Sequence, residues 1–400
     1  MTKKSDFTNS AADELKPGTR LVTGGRDPFA YHGFVNPPVV HASTVLYRTA
    51  EDMIAHRGRY QYGRRGTPTS EALETALREL EGPDCAGVAL LPSGLAAISS
   101  AFLSVLNAGD HVLVADDVYR PTRHVCDSVL SRFGITTTYY DPLKDIGGLM
   151  QPNTRAVFVE APGSQSFEMP DVPAIAGAAH ARGALVLMDN TWATPLYFRA
   201  LEKGVDLSIQ AGTKYIGGHS DLMLGTVSAT AATWPQLKQT VTVMGLCVGP
   251  DDVYLAQRGL RTMGVRLARH HQSGLHVARW LAARPEVSRV LHPGLESDSG
   301  HAVWRRDFTG ASGLFSVVLK PVPQKAVNAF LDALTLFGMG FSWGGYESLV
   351  IWFDCAEYRT ATRWNPGGPA LRFHIGLEDV SDLIADLERG FAAMAAAHVA

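Results

Sequence analysis

Cysteine is scarce and scattered: the four in 400 residues, Cys85, Cys126, Cys247 and Cys355, form no C-x-x-C pair. That spacing argues against a zinc cluster or a disulfide scaffold and fits free thiols in a reducing compartment. Histidine adds no metal signal, because the adjacent His270 and His271 would point about 100° apart on a helix instead of forming an i, i+4 pair. No metal site is expected. A long apolar run is missing too. The most apolar stretch, "VALLPSGLAAISSAFLSVL", is broken by Pro92, Ser93 and Gly94, which argues against a membrane span. The first residues, "MTKKSDFTNSAADELKPGT", carry lysines without a following apolar region and do not read as a secretion signal. A formal net charge of −3 with no long basic run removes any general attraction to nucleic acid or an anionic membrane. Neither G-x-x-x-x-G-K-[ST] nor a strand-linked G-x-G-x-x-G appears, so nucleotide-loop chemistry loses its main support. The expectation is a cytoplasmic enzyme acting on a small molecule.

What is present is a 46% hydrophobic chain, enough for a large core and about two domains. Residues 1–64 are polar and turn-rich ("GGRDP", "NPPVV", "YGRRGTP") and read as an extended arm that gains burial by packing on the main domain or on a neighbouring subunit. From 65 to about 260 helical and apolar strand patterns alternate. "SEALETALRELEG" places Leu73, Ala76, Leu77 and Leu80 on one helical face and stops at Gly82. Strands are expected at "AGVALL", "HVLVAD", "TTTYYD", "RAVFVE", "ALVLMD" and "DLSIQA". Such alternation predicts an α/β fold, a mostly parallel sheet with helices on both faces. Residues 261–400 mix long helices with the strands "GLFSVVLK" and "LRFHIGLED", a smaller α+β domain.

In a parallel sheet ligands collect at the carboxyl ends of the strands, where Ser93, Asp116, Glu160, Asp189 and Gln210 are expected. "QAGTKYIGGHS" sets Lys214 among glycines with the hydroxyl of Thr213 beside it; a lone lysine is commonly a solvated surface group, but this setting also suits a Schiff base near a phosphate. "LVLMDNTWATP" delivers Asp189 to the same edge, either as a turn cap or as the carboxylate that keeps a pyridine nitrogen protonated. Gly94 follows Ser93 at a strand-to-helix turn whose free N–H groups can bind phosphate. Tyr119 in "DDVYRPT" is either core or a ring that stacks on a planar ligand. Tyr62 and Arg64 in "QYGRRG" are either solvated or phosphate ligands. Arg372, in apolar "LRFHIG", must snorkel or pair with a buried anion, and a substrate carboxylate would serve.

Together these motifs, with "YQYGRRGTPT", "LPSGLAA", "RGLRTMGVRL" and "SWGGYESL", resemble the cysteine and methionine metabolism family of pyridoxal-phosphate enzymes over residues 18 to about 395. "SWGGYESL" and "EAPGSQSFEM" are most like its cystathionine β-lyase branch. The resemblance implies a fold-type I pyridoxal-phosphate transferase architecture and pyridoxal 5'-phosphate as cofactor. It implies that Lys214 binds the cofactor and is catalytic, with Tyr119 stacked on the ring and Asp189 at its nitrogen. It gives Gly94, Leu95 and Thr213 to the phosphate, joined by Tyr62 and Arg64 from a neighbouring subunit. Arg372, Ser342 and Trp343 would form the substrate pocket, with Trp343 narrowing it. The implied substrate is a sulfur amino acid, cleaved by α,β-elimination in methionine biosynthesis; the alternatives are a γ-eliminating relative or a regulatory protein that holds the cofactor. The implied assembly is a homodimer at least and a homotetramer by family habit. Two features depart from the family: Ala211 stands where many relatives have a phosphate-binding serine, and "VIWFDCAEYRTATRWNP" has no clear counterpart.

Overall fold

The computed structural model describes residues 15–399, so the first fourteen residues of the expected arm lie outside it. All six expected strands of the first sheet form: β1 (Gly87–Leu91), β2 (His111–Ala115), β3 (Thr136–Tyr140), β4 (Thr154–Glu160), β5 (Leu185–Asp189) and β6 (Leu207–Ala211). A seventh, β7 (Gly225–Ala229), was not foreseen. The order is β1-β7-β6-β5-β4-β2-β3. Pairings from β6 to β3 are parallel, whereas β7 runs antiparallel to both β1 and β6. Strands β1, β2 and β7 are buried at every residue, as expected of strands covered on both faces.

The helix Pro68–Glu81 shows how local chemistry builds these layers. Pro68 opens it, and Thr67 and Ser70 exchange capping hydrogen bonds: Ser70 N–H donates to Thr67 Oγ1 (3.3 Å), and Thr67 N–H to Ser70 Oγ (3.0 Å). Leu73, Ala76, Leu77 and Leu80 are all buried, each leucine contributing about 1.5–3 kcal/mol relative to exposure. Gly82, at φ +104°, ends it.

A second sheet, ordered β10-β11-β12-β9-β8, comprises β8 (Val287–Leu291), β9 (Leu314–Leu319), β10 (Gly338–Met339), β11 (Leu349–Phe353) and β12 (Ala370–His374). Phe330, Leu383, Leu387 and Phe391 of the helices Gln324–Ala333 and Val380–Val399 share one core with Phe315, Leu371 and Phe373 of the sheet. One helix of 33 residues, Pro250–Ala282, runs through residue 260 without a break. It packs on the Pro68–Glu81 helix and also on β8 and β9. The arm is not wholly extended, since short helices occupy Pro17–Thr23 and Ala50–Ile54. Each is too short to show a helical period.

Candidate active site

Asp189 is the last residue of β5, and Lys214 follows the last residue of β6 by three positions. The loop that carries Lys214 is closed at its foot because β7 turns back against β6, pairing Gly225 with Ala211. Thr213 N–H donates to Leu224 O (3.1 Å), and Leu224 N–H donates to Thr213 Oγ1 (3.0 Å). The expected phosphate donor Thr213 therefore also shapes the loop. Lys214 Nζ donates to Ser342 Oγ at 2.7 Å and stands 5.3 Å from the centre of the Trp343 ring. Burial, reinforced by the charge of Arg372 and opposed by Asp189, lowers the amine to about 8. Burial raises Asp189 above its ordinary value, although Thr191 donates to Oδ1 from both N–H (3.0 Å) and Oγ1 (2.5 Å) and Lys214 pulls the same way.

The second sheet supplies the facing wall. Arg372 on β12 donates from Nη2 to Ser342 O (3.1 Å), and among the described residues it has no carboxylate within ion-pair range. Burial lowers it to about 10, partly offset by Tyr119 and Tyr215. Residues 342–345 press directly on the lysine. A Cβ at Gly344, whose φ is +86°, would come within 3.0 Å of Lys214 Cα, so only glycine fits. His374 lies 3.1 Å from Gly344 N and 3.0 Å from Gly345 O through Nε2, and Tyr215 packs at 5.5 Å on the Trp343 ring. His374 is pushed well below its ordinary value, first by burial, and so is neutral. Sequence reasoning missed both His374 and Tyr215, since neither stands out from a core residue.

Tyr119 follows β2 and is 46% exposed, and its ring stacks on no other among the described residues. Its backbone N–H donates to Glu160 Oε2 at 2.6 Å, a second contact the sequence did not suggest. Gly94 opens the helix Gly94–Val105. Ser93 Oγ takes the N–H of Ala96 (3.1 Å), while the N–H groups of Gly94 and Leu95 belong to the first turn and have no intrahelical acceptor. A Cβ at Gly94 would lie 2.6 Å from Ala211 Cβ, so this turn abuts the end of β6, next to the lysine loop. A neutralisable amine, a carboxylate, free helix N–H groups, an open aromatic face and an unpaired arginine suit pyridoxal phosphate and an amino-acid substrate. Tyr62 and Arg64 stand apart from this cluster. Arg64 Nη1 donates to Thr242 O (2.7 Å), and both line a cavity of about 590 Å³ with Trp234 and Lys238 that includes neither Lys214 nor Asp189.

The stretch from Val350 to Pro366 has a definite place. Its first residues belong to β11, and Asp354–Trp364 then cross to the carboxyl edge of the first sheet. Asp116 is fully buried there, paired with Arg123 (2.8 Å) and accepting from Thr360 N (2.9 Å), Thr362 N (2.8 Å) and Thr362 Oγ1 (2.7 Å). Arg359 pairs with Glu168 at 2.7 Å. The guanidinium of Arg120 lies over the Tyr358 ring, 5.4 Å from its centre. Among the described residues no group of three or more His, Cys, Asp or Glu could hold a metal, and no helix is long and apolar enough to cross a membrane.

Comparison with known proteins agrees with this geometry. The family model described as Cys/Met metabolism PLP-dependent enzyme matches residues 18–392. A Rhizobium johnstonii protein, named as a proposed cystathionine β-lyase, is 55% identical, with 94% of this chain and 96% of the relative covered. The cystathionine β-lyase of Escherichia coli is 46% identical over 95% of this chain and 99% of its own. The crystal structure of metB from Corynebacterium glutamicum superposes with a TM-score of 0.88 at 30% identity, covering 95% of this chain and 99% of that one.

Proposed function

The chain belongs to the cysteine and methionine metabolism family of pyridoxal-phosphate-dependent enzymes, and on that premise we propose that it cleaves the Cβ–S bond of L-cystathionine or a related cysteine S-conjugate. The overall reaction consumes one water and releases homocysteine, pyruvate and ammonia. The observation that carries this reading is the Lys214 amine, lowered to about 8 and held at 2.7 Å by Ser342 between Asp189 and Arg372.

The bound cofactor supplies an electron sink for the pair left at the substrate's Cα. The protein supplies the rest. Arg372 takes the α-carboxylate and sets the Cα–H bond toward Lys214, whose amine, half neutral near pH 8, removes that proton as general base. The Cβ–S bond then breaks, and the thiolate leaves to take up a proton. Asp189 would hold the ring nitrogen, Tyr119 would cover the ring, and Gly94, Leu95 and Thr213 would hold the phosphate. Trp343 narrows the pocket beside Lys214. Ala211 offers no hydroxyl, which removes a hydrogen bond worth about 1.5–3 kcal/mol that the remaining donors offset.

We assign residues 1–64 to an arm, 65–260 to the cofactor-binding unit and 261–400 to the smaller unit. Phe29, Phe34, Leu46 and Ile54 leave apolar surface on the arm that needs cover. The placement of Tyr62 and Arg64 away from Lys214 supports their reaching the phosphate of a neighbouring subunit. A dimer is then the smallest active unit, two dimers form a tetramer, and the enzyme works in the cytoplasm. The deciding experiment incubates cofactor-loaded protein with L-cystathionine and identifies the products. Pyruvate with homocysteine is expected; 2-oxobutanoate with cysteine would place the chain among γ-eliminating relatives instead.

A further inference from the structure

Cystathionine carries an amino-acid group, and hence a carboxylate, at each end. Arg372 accounts for one. A second cation would pair with the other, and the crossing segment, which bonds Asp116 at the carboxyl end of β2, brings its side chains beside Tyr119. Most candidates there are already committed. Arg123 is buried against Asp116, Arg359 is paired with Glu168, and Lys214 takes part in the chemistry.

Arg120 differs from these. It adjoins Tyr119, its side chain is exposed, and among the described residues no carboxylate lies within ion-pair range. Its guanidinium is laid on the face of Tyr358, a geometry worth about 0.5–1 kcal/mol at exposed sites and one that leaves the N–H edge free. Tyr358 is itself anchored, donating from its hydroxyl to Cys355 Sγ at 2.9 Å within the crossing segment. That segment is in turn fixed by Asp116 and Glu168, so the ring under Arg120 is held from both sheets. The nearby acids have other partners: Glu160 takes the N–H of Tyr119, and Glu168 is taken by Arg359.

We propose that Arg120, steadied on Tyr358, binds the distal carboxylate of the substrate and makes the site selective for cysteine conjugates that carry a second acid group. This inference rests on the β-elimination reading above and names the substrate class it would prefer.

The test compares L-cystathionine with S-ethyl-L-cysteine, which lacks the distal carboxylate, each measured as a substrate or as a competitor of cystathionine. Arg120→Gln should raise KM for cystathionine about tenfold, in line with loss of a charge-assisted hydrogen bond, and leave kcat and the binding of S-ethyl-L-cysteine within about twofold. Arg120→Lys, which keeps the charge, should recover most of that loss. Arg363→Gln, the same charge change further along the crossing segment, serves as control and should change neither. An equal rise for both substrates, an unchanged cystathionine KM, no recovery with lysine, or the same rise in Arg363→Gln overturns the assignment. Wild-type protein that releases pyruvate from neither substrate would instead end the β-elimination reading itself.

Discussion

Arg123, on the helix Arg120–His124, is buried and Arg372, in the central strand of the second sheet, is partly buried, and their surroundings are opposite. Arg123 has a buried carboxylate at 2.8 Å, a threonine hydroxyl at 3.0 Å and the Tyr139 ring 3.4 Å away. Among the described residues Arg372 has a backbone carbonyl and no carboxylate, and burial lowers it to about 10. Leaving a buried charge without a carboxylate costs up to several kcal/mol, a cost the fold also bears at Arg266, which is buried against backbone carbonyls and a threonine hydroxyl alone. Arg123 serves the architecture, and on the reading proposed above Arg372 serves the ligand.

The contrast can be broken by substitution. Asp116→Ala should produce the largest effect, because it orphans Arg123 and frees Thr360 and Thr362 together. The expected loss is about 3–5 kcal/mol of stability in denaturant unfolding, and a loss below about 1 kcal/mol would refute the structural role. Arg372→Ala should do the reverse. It removes one member of a desolvated charge pair with the substrate, worth about 2–5 kcal/mol, so KM for amino-acid substrates should rise about 30-fold or more. The melting temperature and the cofactor's absorbance should hold; equal losses of substrate and cofactor binding would move Arg372 away from the α-carboxylate.

A smaller effect sharpens the picture around Lys214. The amine needs its lone pair to capture the cofactor, and with its pKa lowered to about 8 it gains that form as pH rises through 8. Reloading of stripped protein should speed up about tenfold per pH unit below that point and level off above it. A midpoint near the ordinary lysine value would show that the amine is not withdrawn from water, and Lys214→Ala should capture no cofactor at any pH.

Much of this organisation was legible in the sequence. Six of the seven strands of the first sheet were written as compact runs rich in apolar, β-branched or aromatic residues; Asp189 ends one such run, and Lys214 and Tyr119 each follow one closely. Strand β7 escaped because "GTVSA" is made of small residues, and its burial comes from its neighbours. The contacts around Asp116 were out of reach for a different reason. Thr360 is 244 positions away, and no local pattern announces a partner at that distance. His374 read as a strand residue because its role depends on Gly344 and Gly345, whose approach only the folded chain creates.

The unbroken helix from Pro250 to Ala282 is about 50 Å long by its residue count and is packed at one end on the first layer and at the other on the second sheet. Together with the segment anchored at Asp116, it gives the two halves a pair of separate tethers. Two such ties restrict how far the wall that carries Lys214 and the wall that carries Arg372 can move apart.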